Sequence, residues 1–118
     1  RKRKMIRRPI VVLESPFKDE HPMQHALNRF YTRRCLLDSL GRGEAPFASH
    51  ALYTLPGVLN DENPHERATG IDAGLAFLSV ADLHVFYVNR GMSPGMTHAL
   101  AYHAEHFRHV PIVFRELA

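Results

Sequence analysis

Three groups of residues in this 118-residue chain have the types and spacing to do chemistry. The first is Ser93-Pro94-Gly95, which follows the apolar run Leu83–Val88 and a turn of Asn89 to Met92 that carries Gly91. Ser is a favoured N-cap and Pro a favoured first helical residue, so a helix is expected to begin here. The first turn of a helix offers unpaired backbone N–H groups and the positive end of the dipole. Gly95 has no side chain and would let an anion approach those groups closely. The same spacing also makes an ordinary capped turn between a strand and a helix. Met96, next in the chain, could pack on a bound ring or fill a gap at the helix start. The second group centres on Arg67, whose guanidinium could clamp a phosphate with two hydrogen bonds or pair with Glu66 or Asp61. The third is histidine, of which there are nine. His103 and His106 are spaced to chelate, but no third ligand follows at a recognised spacing and Cys35 is remote, so neither metal nor cofactor is expected.

Strands and helices must bring these residues together. Pro9–Leu13 is a continuous apolar run after a basic start, the pattern of a strand buried on both faces. Lys18 to Pro22 is a polar loop. Met23–Leu40 reads as a helix with Leu27, Phe30, Leu37 and Leu40 on one apolar face, ended by Gly41 and Gly43. Ala45–His50 reads as a short second strand. Tyr53 to Glu62 is rich in turn formers. Asn63-Pro64 starts a second helix that runs to Leu78 and buries Ile71, Leu75 and Leu78. Leu83–Val88 is the central strand, Pro94–Arg108 a third helix and Val110–Phe114 the last strand.

The order β-α-β-α-β-α-β predicts an α/β fold: one doubly wound, mostly parallel, flavodoxin-like sheet with right-handed crossovers. In such a sheet ligands bind beyond the carboxyl ends of the strands. Ser15, Phe17, His50, Glu66, Arg67, Ser93 and Gly95 are then expected around one crevice.

The length suits a single core, here residues 9–118, preceded by a basic tail of residues 1–8 with six cations in eight positions. That tail is either a solvated end or a nucleic-acid contact. The net charge is +3, with 45% hydrophobic and 23% charged residues, a balance typical of globular chains. No apolar stretch approaches the roughly 20 residues that span a bilayer, so no membrane partner is expected. A lone Cys35 fits a reducing, cytoplasmic compartment.

Four stretches resemble the nucleoside 2-deoxyribosyltransferase superfamily. Ile10-Val-Val-Leu-Glu-Ser-Pro-Phe17 is similar to its first strand and loop, and Ala81-Asp-Leu-His-Val-Phe-Tyr-Val88 to its central strand. Ser93-Pro-Gly-Met-Thr-His-Ala-Leu-Ala-Tyr102 resembles its signature helix, and Val110-Pro-Ile-Val-Phe114 its last strand. The stretches Gly43–Tyr53 and Pro64–Ile71 look like a small branch found in phage and actinobacterial genomes.

The resemblance implies a nucleotide or nucleoside ligand, with Ser93-Pro94-Gly95 matching the form that takes a 5′-phosphate. It also implies a homodimer, for which Phe47, Leu52, Tyr53 and Leu55 are the apolar candidates. Superfamily enzymes cleave an N-glycosidic bond with a glutamate on the signature helix, three or four residues after the Gly. Those positions here hold His98 and Ala99. The primary expectation is therefore a nucleotide-binding protein without the usual nucleophile. The alternative is an active N-glycosidase or deoxyribosyltransferase in which His98, as a base, or Glu14, as a carboxylate from another direction, takes over.

Overall fold

The computed structural model describes residues 7–118. Four parallel strands form one sheet in the order β2-β1-β3-β4, with β1 at Ile10–Glu14, β2 at Ala45–Phe47, β3 at Leu83–Tyr87 and β4 at Ile112–Arg115. The helices are α1 (Pro22–Gly41), α2 (Ser49–Leu52), α3 (Pro64–Ala76) and α4 (Pro94–His106), and a 3₁₀ turn at Phe77–Val80 follows α3. The expected doubly wound α/β architecture is the one observed. Among the described residues no helix is long and apolar enough to cross a membrane.

Alternation along β1 and β3 splits the core in two. Val11, Leu13, Val85 and Tyr87 face Tyr31 and Cys35 of α1, together with Ala48. Val12 and Phe86 face Leu75, Leu78, Met96 and Ala99, so α3 and α4 cover the opposite face. β1 runs out to β2 on one side, while β3 runs out to β4 on the other. Right-handed crossovers then place α1 against α3 and α4 across the sheet.

Several boundaries differ from expectation. The second strand stops at Phe47 because the chain turns into α2 at Ser49, an element with no sequence signal of its own. The last strand starts at Ile112 and reaches Arg115, and α4 stops at His106 rather than Arg108. The second helix ends at Ala76, and Leu78 is buried from the 3₁₀ turn instead.

The larger correction concerns α1. Leu27, Phe30, Leu37 and Leu40 do not face the sheet: Phe30 is 58% exposed and Leu37 70%. The buried side of α1 is Asn28, Tyr31, Thr32, Cys35 and Ser39. Each polar member has a partner there. Asn28 Nδ2 donates to the Phe17 carbonyl, Tyr31 Oη to Asn89, Thr32 Oγ1 to the Asn28 carbonyl and Ser39 Oγ to Glu44. A paired polar group costs little to bury, so these bonds outweigh the apolar stripe in choosing the inner face. Among the described residues no buried side-chain polar atom lacks a partner.

One ion pair ties the edge strand β4 to the β2 side of the sheet. Arg115 holds Glu44 through two hydrogen bonds of 2.8 and 2.9 Å and also donates to the Tyr87 hydroxyl. The Arg115 hydrogen bonds hold the Glu44 carboxyl below the usual carboxylate range, with a further bond from Ser39. Glu44→Gln leaves a buried guanidinium without its countercharge. Urea denaturation should show a loss of about 3 kcal/mol at pH 7, the scale for breaking a buried pair.

Candidate functional site

The sheet order has its topological switch point between β1 and β3, whose crossovers leave in opposite directions. An open α/β sheet has a crevice at that point, beyond the carboxyl ends of the strands. A cavity of about 120 Å³ lies there, room for about four waters at roughly 30 Å³ each, or for one small ring. Glu14, Ser15, Phe17, His50, Arg67, Ser93, Gly95 and Met96 all line it, as does Glu66. Lys18, Tyr53, Asp61, Ile71 and Leu75 complete much of the wall. His98 is exposed and outside the lining. At 100° per residue Met96 and Ala99 share the inner face of α4, and His98 turns away from it. His98, expected as an alternative base, therefore does not line this cavity, and Ala99 lines it without a reactive group.

The cavity depends on close approach of α2 to α3. A Cβ on Gly74 would run into the Ser49 side chain, so only glycine fits at that crossing. At the α4 end, Gly91 has φ +78° and turns the chain from β3 toward the helix. Ser93 caps α4 as expected, with its hydroxyl accepting the Met96 N–H at 3.2 Å. Thr97 N–H is taken by the Ser93 carbonyl, and Pro94 has none. The open donor of this first turn is Gly95. A Cβ at Gly95 would meet only the Ser93 hydroxyl, at 3.9 Å, so space lies in front of it.

Arg67 pairs with Asp61 at 3.1 Å, one of the two partners the sequence allowed. Its guanidinium therefore lines the cavity already paired with one carboxylate. Glu66 accepts the Asn60 backbone N–H at 3.0 Å and so braces the loop above α3. Phe17 is buried edge-on between His25 and His50, with ring centroids 5.1 Å from each.

The Ser15–His50 contact, 2.9 Å, has the composition of a nucleophile and its base, but the hydrogen bonds run the other way. Thr32 spends its proton on the Asn28 carbonyl, which can only accept. Ser15 Oγ must therefore donate to Thr32, 2.8 Å away. His50 Nε2 is then left to donate to Ser15. A histidine that donates to a serine cannot take its proton, so the pair positions the wall and is not a nucleophilic dyad.

Glu14 ends β1 on the face of α3 and α4. Its Oε2 lies 2.8 Å from His84 Nε2, and His84 Nδ1 lies 2.8 Å from His103 Nδ1. His103 Nε2 meets the Val110 carbonyl at 2.7 Å. Sequence reading missed this chain, because His84 sits within an apolar strand and His103 was weighed as a chelator with His106. His103 has both ring nitrogens committed, and His106 is on the surface beside Glu105. Among the described residues no group of three or more His, Cys, Asp or Glu is placed to hold a metal ion.

Burial lowers the proton affinity of both His50 and His103 from the ordinary imidazole value of 6.5. For His103 the bond to Val110 opposes this in part, and neighbouring His84 and His109 add to it. Unfolding restores ordinary affinity, so the unfolded chain binds more protons than the folded one below that value, and stability falls as pH falls. Between pH 7 and pH 5.5 the two groups should cost about 2 kcal/mol together. Denaturation curves at the two pH values check this, and a stability that stays level would contradict it.

A family model described as a domain of unknown function, DUF7768, matches residues 9–114. No curated protein and no solved structure matches the chain.

Proposed function

The chain belongs to the DUF7768 family, and we propose that it binds a nucleotide or nucleoside-type small molecule in the cavity at the β1–β3 switch point. The observation that carries the reading is the makeup of that one cavity. The open Gly95 N–H at the start of α4 stands with Arg67 and Lys18 around a space that also has the aromatic rings of Phe17 and Tyr53. A phosphate suits the first three groups, and a flat ring suits the last two. This agrees with the resemblance to nucleoside 2-deoxyribosyltransferases. The positions open to their helix glutamate are taken here by His98 and Ala99, neither a carboxylate, which makes binding the primary role.

One observation favours a second reading, cleavage of an N-glycosidic bond: Glu14 brings a carboxylate into the same cavity from β1. A nucleic-acid role rests on residues 1–6, which lie outside the described residues. Arg7 and Arg8 are spent within the domain, on Asp82 and on the Leu40 and Glu44 carbonyls. The reading includes residence in a reducing compartment, which rests on Cys35 being the one cysteine of the chain. It also includes a homodimer, with the exposed Leu52 and Leu55 as candidate contacts. Light scattering at high micromolar concentration should report a dimer, and a monomer alone would count against that part.

Binding is tested by titration calorimetry with deoxynucleoside 5′-monophosphates and with the matching nucleosides. The monophosphates should bind more tightly. Gly95→Val has room to fold but fills the space before the open N–H. It should weaken monophosphate binding by roughly tenfold, about 1.4 kcal/mol, while nucleoside affinity changes little. Equal loss for both ligands would place the phosphate elsewhere. Long incubation of the wild type with each monophosphate should release little or no free base, and robust release would favour the second reading.

A further inference from the structure

Glu14, His84, His103 and the Val110 carbonyl form an unbroken file of three short hydrogen bonds that opens into the cavity at one end. His84 is 0% exposed and His103 1%, whereas the Glu14 side chain keeps 16% of its surface. Neither histidine is needed for strand pairing or helix formation. Two buried imidazoles in file with a carboxylate are an expensive way to fill a core.

The proton count of this file follows from its closed end. A carbonyl oxygen only accepts, so His103 Nε2 carries a hydrogen and donates to Val110. Of the two rings only His84 touches the Glu14 carboxylate, while His103 meets a neutral carbonyl and loses proton affinity through burial, so His103 is the neutral ring and its Nδ1 is a lone pair. His84 Nδ1 must then donate to that lone pair. If His84 were also neutral, its Nε2 would be a second lone pair facing Glu14, and an ionised Glu14 could not bond to it. The tautomer that repairs the Glu14 contact sets two lone pairs against each other at the His84–His103 contact. With Glu14 ionised and both rings neutral, one of the three contacts is always repulsive. All three are favourable once a single extra proton is present. With that proton on the ring, His84 donates to Glu14 through Nε2 and to His103 through Nδ1, so one group satisfies both contacts.

We propose that Glu14, His84 and His103 form a proton-holding file in which a buried His84 imidazolium fixes and balances a Glu14 carboxylate at the cavity wall. Glu14 Oε1 is then an acceptor-only group of set position. It selects ligands that present an N–H or O–H there, such as the amino and ring N–H groups of a base or a sugar hydroxyl. This part rests on the cavity being the ligand site. Charges that face Glu14 across the cavity are Lys18, Arg67, Asp61 and Glu66, two of each sign, with neutral His50. Among the described residues the ion-pair partner of Glu14 is His84, so the imidazolium behind Glu14 is its specific countercharge. From β4 the same face offers Ile112 and Phe114, which carry no charge, and His109 lies near His103. His84 and His103 are positioning residues, because they act on a ligand only through Glu14.

Glu14→Gln separates this proposal from a merely structural role. The glutamine amide can donate to His84 Nε2, His84 Nδ1 can donate to His103, and His103 can donate to Val110. The file is then complete with both rings neutral, and the variant should fold. Nitrogen-15 NMR of histidine-labelled, ligand-free protein at pH 7 should show both nitrogens of His84 protonated and His103 neutral with its hydrogen on Nε2. In Glu14→Gln, His84 should become neutral with its hydrogen on Nδ1, a loss of one bound proton. A neutral His84 in the wild type, or an unchanged His84 in the variant, overturns the proton-holding file. The ligand part is tested by calorimetry with deoxyguanosine 5′-monophosphate and with inorganic phosphate. Glu14→Gln keeps an oxygen acceptor toward the cavity but removes its charge, so the charge-assisted bond should be lost, weakening the nucleotide by about tenfold and leaving phosphate unchanged. Equal nucleotide affinity in the two proteins overturns the selection by Glu14. A nucleotide that fails to bind the wild type overturns the cavity reading itself, and the NMR result then judges the file alone.

Discussion

The parallel pairing of β1 with β3 is the constraint on which this molecule depends. Both strands are buried on both faces, and Val11 to Leu13 with Val85 to Tyr87 form the spine of the two core layers. Because β1 connects outward to β2 and β3 outward to β4, the helices must leave their carboxyl ends in opposite directions. That divergence divides α1 from α3 and α4 and leaves a gap that backbone cannot fill. The cavity is thus a consequence of strand order, and its lining is whatever the chain supplies at four loops. Alternation on the same two strands also sets Glu14 and His84 on one face, since both lie on the side of Val12 and Phe86.

Polar chemistry inside the domain is organised as closed hydrogen-bond files that end on carbonyls. One runs from His50 through Ser15 and Thr32 to the Asn28 carbonyl, and another from Glu14 through His84 and His103 to the Val110 carbonyl. A carbonyl terminus dictates the direction of every bond behind it. In the first file this removes the capacity of His50 to act as a base toward Ser15. In the second it calls for an added proton and holds a carboxylate at the cavity. The two files bring different chemistry to one wall from nearly the same side-chain types. Direction, and not composition, separates them.

The fold was largely legible because its signals are local and repeated. Apolar runs at Ile10 and Leu83, caps at Asn63 and Ser93, and breaks at Gly41 and Gly43 are each read within a few residues. Much of the cavity was legible for the same reason. Once the alternation of strands and helices implied a parallel sheet, the residues after each strand could be assigned to one rim, and Ser15, Phe17, His50, Arg67, Ser93 and Gly95 are all found there. The second strand was over-extended because α2 is only four residues long and has no periodicity to detect.

What the sequence determined by itself was the order of the strands and the three long helices, the starts of those helices and the residues able to reach the crevice, since these follow from local propensity and chain direction. What only the tertiary structure decided was which side of each element turns inward and which polar atoms meet. The apolar stripe of Leu27, Phe30 and Leu37 faces outward because Asn28, Tyr31, Thr32 and Ser39 find partners on other elements, and no local pattern encodes a partner. His98 misses the cavity by a single residue's rotation about α4. Glu14, His84 and His103 are far apart in the chain, and only strand register and the docking of α4 bring their nitrogen and oxygen atoms within bonding distance.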